Sequence, residues 1–358
     1  MPTAFVIRAV QGDLRYPVRV GTGAADALLE FAAGHDRVAV VTARPVLRSP
    51  VAHRAIARLK RGAPVALVHE LPDGERGKTL AELERAAVKL LRAGCNRRTL
   101  IVAVGGGAVT DAAGFLAATF MRGVPWAAVP TTLLSMVDAA IGGKTAVNLP
   151  AAKNAVGAFH PPVAVLADPG ALRTLPQREV RSGLGEVLKY AALRPALLGR
   201  FGGGSRLPDT SVIAACARAK VEIVRADPTE QGERKVLNLG HTFGHGVEAA
   251  GGFSRYTHGE AVAIGLVFAF RLAACLGRLG PLGVAEVEDA IRAAGLPVRV
   301  PPALARRAVA LMGFDKKRTA AGLRWVLPRS RGASWVVEWD VAAPDEAVAT
   351  AAREISGP

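Results

Sequence analysis

Between Leu237 and Glu260 the chain reads LNLGHTFGHGVEAAGGFSRYTHGE, and three of its seven histidines fall in that span. His241 and His245 are four residues apart, so a helix through them carries both imidazoles on one face, a spacing also used by helical metal-ligand pairs. His258 belongs to a different element. Gly251-Gly252 is a turn signal that breaks the first helix, and His258-Gly259-Glu260 opens a second apolar run. A joint site would therefore sit where two helix starts converge. With acidic residues nearby, such a cluster suits a divalent cation; the alternative is a set of core or surface histidines satisfied for structural reasons.

A second chemistry is written after the apolar run Leu100 to Val104, where Gly105, Gly106 and Gly107 precede AVTDAAGFLAATF, a predicted helix with Asp111 in its first turn. A strand, a glycine turn and a helix start present free backbone N–H groups to a diphosphate. The G-x-G-x-x-G fingerprint is absent, and a tight turn alone also explains three glycines. The loop PDGERGK, Pro72 to Lys78, follows another strand and supports the dinucleotide reading, with both loops facing one crevice. A third group comprises Asp138, Lys144 in IGGKT, and Lys153 and Asn154 in PAAKNAVGAFHPP. Together with Arg122, Lys189 and Arg234 it matches an anionic, polyhydroxylated ligand: lysines for phosphate, amide and carboxylate for hydroxyls. Glu186 and Lys189, three apart in SGLGEVLKY, place a carboxylate and a cation on one helix face.

The elements that must position these residues fall into two series. Phe5 to Val10 and Leu14 to Val20 form a hairpin around Gly12-Asp13. Apolar, β-branched runs at Val38 to Thr42, Val65 to Leu71, Leu100 to Val104, Trp126 to Pro130 and Val163 to Asp168 then alternate with helical stretches, the pattern of a parallel sheet covered on both faces. From Leu172 the periods turn helical: Arg178 to Leu193, Val212 to Arg225, His241 to Ala250, Glu260 to Leu276, Val284 to Ala294 and Ala303 to Met312. Leu323 to Leu327 and Ser334 to Trp339 form a small strand pair, and the glycine-rich stretch Gly199 to Pro208 a plain exposed loop. The expected fold class is α/β: a Rossmann-like parallel-sheet domain over residues 1–170, followed by an all-helical metal- and substrate-binding domain over residues 171–358.

Composition narrows the function class. A chain of 358 residues with 50% hydrophobic residues buries a large core. Its formal net charge of +16 invites a nucleic-acid partner, but arginines are spread along the whole chain, aromatics are only 5%, and no nucleic-acid motif is present. A basic surface that attracts a small anionic substrate fits better. The opening MPTAFVIRAVQGD lacks an apolar leader, and the run Ala261 to Phe270 is stopped by Arg271, so a cytoplasmic location is expected. Cys95, Cys216 and Cys275 have no metal or redox spacing and are expected to be buried free thiols.

The segments GGGAVTDAAGF, MRG, VPTTLLSMVDAAIGGKTAVN, KNAVGAFH, LADPGALRTLP, GLGEVLKY, NLGHTFGHGVE, HGEAVAIG and DKK together resemble the 3-dehydroquinate synthase family of the shikimate pathway, collinearly from about Pro72 to Leu327. Sister sugar-phosphate cyclases and, more remotely, metal-dependent polyol dehydrogenases are its relatives. The resemblance implies zinc or cobalt held by Glu186, His241 and His258, leaving His245 to substrate and proton transfer. Catalytic roles carry over to Asp138, Lys144, Lys189, Lys220, Asn238 and His245, and substrate contacts to Arg122, Lys153, Asn154, Arg234 and Lys317. NAD contacts carry over to Glu75, Lys78, Gly105, Gly106, Gly107, Asp111, Thr131, Thr132, Lys144, Lys153 and Thr174. The implied activity converts 3-deoxy-D-arabino-heptulosonate 7-phosphate to 3-dehydroquinate and phosphate with NAD recycled, a lyase reaction of a cytoplasmic homodimer. A sister cyclase acting on sedoheptulose 7-phosphate, or a polyol dehydrogenase, is the alternative.

Some positions depart from the family pattern. Ala43 and Arg44 stand where such enzymes usually carry asparagine or aspartate near the adenosine ribose. Ala139-Ala140 replaces a pair of serines, Pro161 a glutamine, and Arg194 to Pro208 is shortened. Arginine is the residue type that accommodates a 2′-phosphate, yet NAD without competition from NADP is the expectation.

Overall fold

The computed structural model describes residues 4–150, 152–200, 207–312, 318–319 and 322–357. The chain opens with the expected hairpin, β1 (Phe5–Gln11) against β2 (Leu14–Val20). Then α1 (Leu28–Ala32), β3 (Arg37–Ala43), α2 (Pro50–Gly62), β4 (Val65–Leu71), α3 (Leu80–Arg92), β5 (Thr99–Gly105), α4 (Gly107–Thr119) and β6 (Trp126–Pro130) alternate. A second hairpin, β7 (Lys144–Leu149) with β8 (Ala152–Phe159), precedes β9 (Ala164–Ala167). Seven strands form one sheet in the order β1-β2-β9-β6-β5-β3-β4, parallel from β2 onward. Strands β5, β6 and β9 are buried along their whole length, which is why their sequences are unbroken apolar runs rather than alternations.

The remaining elements are α5 (Gln177–Leu193), α6 (Thr210–Ala226), α7 (His241–Ala250), α8 (His258–Cys275), α9 (Pro281–Ala293), α10 (Pro302–Met312), β10 (Arg318–Thr319), β11 (Gly322–Arg331), β12 (Ser334–Ala342) and α11 (Asp345–Glu354). Two compact units result: Met1–Pro176 with Asp209–Thr229, and Gln177–Pro208 with Glu230–Pro358. The expected division at 170/171 is corrected in one respect, because α6 returns to the first unit and packs on β1, β2 and the turn Ser135–Ala139. Periodicity announces that α6 has an apolar face but not which neighbour covers it. Nor is the second unit purely helical: β10, β11 and β12 form an antiparallel sheet, anchored where Trp335 Nε1 donates to the Ala192 carbonyl at 2.8 Å. Cys95 and Cys216 are buried as expected, whereas Cys275, near the end of α8, is exposed.

In the second unit α8 is the core helix, in contact with α5, α7, α9, α11 and β11. By length and composition it is apolar enough to cross a membrane, with a mean hydropathy of 1.4, but 72% of that window is buried inside the protein. Phe243 of α7 stacks on Phe268 at 4.1 Å between ring centroids. Two glycines of α8 set how closely its neighbours approach. A Cβ on Gly259 would overlap the Ser182 carbonyl oxygen of α5, and one on Gly265 would overlap the Gly240 carbonyl at the entrance to α7. Backbone therefore meets backbone on two sides of one helix. Gly259→Ala must push α5 away, and we expect it to destabilise the protein by about 1–3 kcal/mol or more, read as a lowered midpoint in denaturant titration.

On the first unit's edge strand β4, His69 is buried at 3% exposure, with Lys89 Nζ 3.3 Å from its Nδ1. Burial, reinforced by the charges of Lys89 and Arg85, lowers its pKa to about 4. The unfolded chain binds a proton at this imidazole near pH 6.5 while the folded chain does not. Stability is thus lost as pH falls from about 6.5 to about 4, on the order of 2–3 kcal/mol. The variant His69→Gln should show a shallower decline across that window in unfolding titrations at stepped pH.

Candidate metal and dinucleotide sites

In the second unit His241 is the first residue of α7 and His258 the first residue of α8, so each helix starts on an imidazole. The left-handed Gly240, at φ 79°, turns the chain into α7. A capping box fixes the start of α8: Thr257 accepts from the Glu260 backbone N–H, and the Glu260 carboxylate accepts from the Thr257 N–H at 2.9 Å. Glu186, 1% exposed in the middle of α5, completes the group. One ligand atom from each of Glu186, His241 and His258 lies within 4.8 Å of the others.

His241 Nδ1 is 3.2 Å from the Leu239 carbonyl oxygen and donates to it, and its Nε2 faces Glu186 Oε1 at 3.4 Å. His258 Nδ1 faces Glu248 Oε2 at 3.5 Å, while its Nε2 lies 3.2 Å from the same Glu186 oxygen. Lys189 Nζ stands 2.5 Å from Glu186 Oε2. Burial opposes the Glu186 charge, but Lys189 and hydrogen bonds from the two histidines outweigh it and hold the carboxyl well below its usual range. Burial depresses His241; at His258 the opposing burial is overcome by Glu186 and Glu248, which raise it to about 10. Two imidazole nitrogens and one carboxylate oxygen lie close together, each imidazole anchored through its other nitrogen, a donor set that could hold a divalent metal ion.

His245, an exposed residue of α7, is a ring neighbour of this group, with centroids 5.4 Å from His241 and 6.4 Å from His258, but it is not one of the three converging donors. Arg234 and Asn238 belong to the short helix Glu233–Asn238 that leads into α7. Arg234 is fully buried, and Asn238 donates to Glu230 at 3.0 Å. Glu248 went unnoticed in the sequence, although it stands seven residues after His241 on the same helix face. Lys317 lies outside the described residues.

The first unit brings together the loops at the carboxyl ends of its parallel strands. Lys78 Nζ lies 2.5 Å from both Asp111 Oδ2 and Asn154 Oδ1, and Asn148 links Glu75 to the Asn154 backbone through bonds of 2.6 and 2.9 Å. Asp111 sits in the second turn of α4, not the first, and burial raises its carboxyl to about 6 despite the opposing Lys78. Asp138 accepts from Lys220 of α6 at 2.8 Å, and it occupies a π-helical turn, Ser135–Ala139, of a kind that recurs at functional sites. Arg122 and Asn154 hold left-handed backbones, at φ 67° and 54°. Such conformations persist where the surroundings over-determine them, often at ligand sites. Lys144 and Lys153 stand on the β7–β8 hairpin, both exposed; Thr131 is buried after β6 with Thr132 beside it, and Thr174 is exposed in the turn Pro169–Thr174. At the glycine turn, Gly106 precedes α4 in extended backbone, so Gly105, Gly106 and Gly107 link strand to helix as expected.

Residues 68–182 match the profile of the 3-dehydroquinate synthase N-terminal region, and residues 183–318 that of the C-terminal region. The chain belongs to the 3-dehydroquinate synthase family. A 3-dehydroquinate synthase of Xanthomonas axonopodis pv. citri is 46% identical over 297 residues, covering 78% of this chain and 80% of that one. The fold of the family is shared with 2-deoxy-scyllo-inosose synthase solved with carbaglucose-6-phosphate, NAD+ and Co2+, at a TM-score of 0.83 and 24% identity over 98% of this chain and 100% of that one. It is also shared with 2-epi-5-epi-valiolone synthase from Streptomyces hygroscopicus with NAD+ and Zn2+ bound, at a TM-score of 0.79 and 26% identity over 97% and 98%.

Glu248 orients a ring whose other nitrogen faces the donor cluster. Replacing Glu248 by glutamine should lower zinc affinity about tenfold or more, the usual effect of losing a carboxylate behind a ligating histidine. Competition against a chromophoric chelator measures this, with His258→Ala expected to lose still more; equal affinity in wild type and Glu248→Gln would show that this carboxylate does not hold the ring.

Proposed function

We propose that the chain catalyses the 3-dehydroquinate synthase reaction, converting 3-deoxy-D-arabino-heptulosonate 7-phosphate into 3-dehydroquinate and phosphate. The observation that carries this reading is the convergence of Glu186, His241 and His258 in a chain 46% identical to a 3-dehydroquinate synthase. In the net change a carbon–oxygen bond to phosphate breaks and a carbon–carbon bond closes the ring. Oxidation and reduction cancel, which makes the enzyme a carbon–oxygen lyase. Glu186, His241 and His258 would hold the metal, and the loops at Glu75 to Lys78 and Gly105 to Asp111, with Thr131, Thr132 and Thr174, the NAD. When bound, these groups supply a Lewis acid for the reacting oxygen and a reversible hydride acceptor.

The chain's own residues then have distinct tasks. Lys189 neutralises the buried Glu186. His245, an imidazole on an exposed helix face, is suited to proton transfer with the substrate. Arg122, Lys144 and Lys153 match the charge of a leaving phosphate. Asp138, Lys220, Asn154 and Asn238 are suited to hydroxyl groups, whose donors and acceptors they complement. Arg234 offers the planar fork that matches a carboxylate, and Lys317 adds a further cation. The same reading makes the protein a cytoplasmic homodimer acting on a small anionic substrate rather than on nucleic acid or membrane.

Phosphate release from the heptulosonate phosphate should require both NAD+ and zinc or cobalt, stop on chelation, and proceed with no net rise in the absorbance of reduced nicotinamide. A steady rise would instead mark a polyol dehydrogenase. Arg234→Ala should lower kcat/KM on this substrate by roughly 1.5–3 kcal/mol while sparing zinc binding. Sedoheptulose 7-phosphate, which lacks the carboxylate, should be a poor substrate for the wild type and little affected by the substitution.

A further inference from the structure

Strand β2 belongs to the hairpin at the edge of the seven-stranded sheet and carries none of the residues assigned to the site, yet one of its side chains reaches the site's backbone. Tyr16 pairs with Ala9 in that hairpin and is 3% exposed. Its hydroxyl oxygen accepts from the backbone N–H of Gly142 at 3.1 Å, across 126 residues of chain within the first unit. A buried tyrosine needs a partner for its oxygen. The partner here is the first glycine of IGGKT, two residues before Lys144 and four after Asp138.

Gly142 and Gly143 both hold positive φ, at 92° and 64°. Glycine enters that backbone region freely and also leaves it freely, so the turn has to be fixed from outside. On one side the Ile141 N–H donates to the Asp138 carbonyl at 3.0 Å; on the other the His160 N–H donates to the Gly143 carbonyl at 2.7 Å, where a Cβ on Gly143 would run into the Pro161 backbone. Between these two bonds the Gly142 amide is held by Tyr16. Ala140 and Ile141 are each 1% exposed and Thr145 2%, both glycines are buried, and Lys144 alone of residues 140–145 is exposed. Two glycines thus decide where the one outward cation of a buried segment stands. Without the phenol oxygen a buried N–H loses its acceptor and the glycine pair its restraint.

We propose that Tyr16 is a positioning residue for Lys144, its phenol oxygen fixing the Gly142–Gly143 turn that presents the lysine to an anionic group. The inference rests on the reading of Lys144 as a phosphate ligand. Calorimetric titration of inorganic phosphate into the full-length protein loaded with zinc and NAD+ tests it, in wild type, Tyr16→Phe, Lys144→Ala and the double variant. Tyr16→Phe removes one oxygen and should weaken phosphate binding about fivefold or more, the scale of a buried hydrogen bond. In the Lys144→Ala background the same substitution should cause no further loss, because its effect passes through the lysine. A merely structural role would lower the melting temperature with phosphate affinity unchanged, or give losses that add in the double variant; either result overturns the inference. Should Tyr16→Phe not fold, Gly142→Ala strains the same turn from within and should weaken phosphate binding likewise, and an unchanged affinity there overturns the inference equally. Lys144→Ala protein that binds phosphate as the wild type does overturns the reading of Lys144, and the inference with it.

Discussion

A carboxylate withdrawn from water governs the second unit. Glu186 lies inside α5 at 1% exposure, and an isolated charge there would be strongly unfavourable. Lys189, one helical turn on, supplies the first counter-charge from the same element. Further polar partners are His241 and His258, whose Nε2 atoms both face one oxygen of Glu186 at 3.4 and 3.2 Å. Those distances require three helices to meet with almost no side chain between them. Gly259 against Ser182 and Gly265 against Gly240 make that approach possible, and Gly259 and Gly240 each adjoin a histidine of the cluster in sequence. Packing and chemistry thus share the same few residues.

The first unit solves a different problem. Its sheet buries β5, β6 and β9 completely and leaves the polar work to the loops at the carboxyl ends of its strands, where Lys78 ties the loop after β4 to α4 and to the β7–β8 hairpin. Asp111 and Lys78 form a pair whose carboxyl is raised by burial and only partly relieved by the ammonium. An anion that drew Lys78 away would change that balance. The left-handed backbones of Arg122 and Asn154 place two polar side chains where an extended chain would not carry them. The formal net charge of +16 is distributed along the whole sequence.

Several features were legible before any coordinates. The five apolar runs predicted as parallel strands correspond to β3, β4, β5, β6 and β9, because buried parallel strands must be continuously apolar. The helix starts at His241 and His258 were set by Gly240 and by the Thr257 to Glu260 capping box, both local signals. The β7–β8 hairpin escaped notice for a local reason as well: β8 is mostly exposed, and its small residues lack the alternation that marks a half-buried strand. The exposure of Cys275 was missed because a thiol near the end of an apolar helix reads as core until the neighbouring helices are in place.

By itself the sequence determined which residue types were available, the order of the elements that carry them and, through long collinear motifs, the family. Spacing could pair His241 with His245 equally well, because helical periodicity describes only one element at a time. Only the tertiary structure decided that His258 and Glu186, 72 residues apart, share a hydrogen bond with each other, and that Glu248 stands behind the ring. It also returned α6 to the first unit, bringing Lys220 to Asp138 across 82 residues of chain. The reason is physical. Burial of a charge selects partners by distance in space, and that distance is fixed by how closely helix backbones pack, which no single segment encodes.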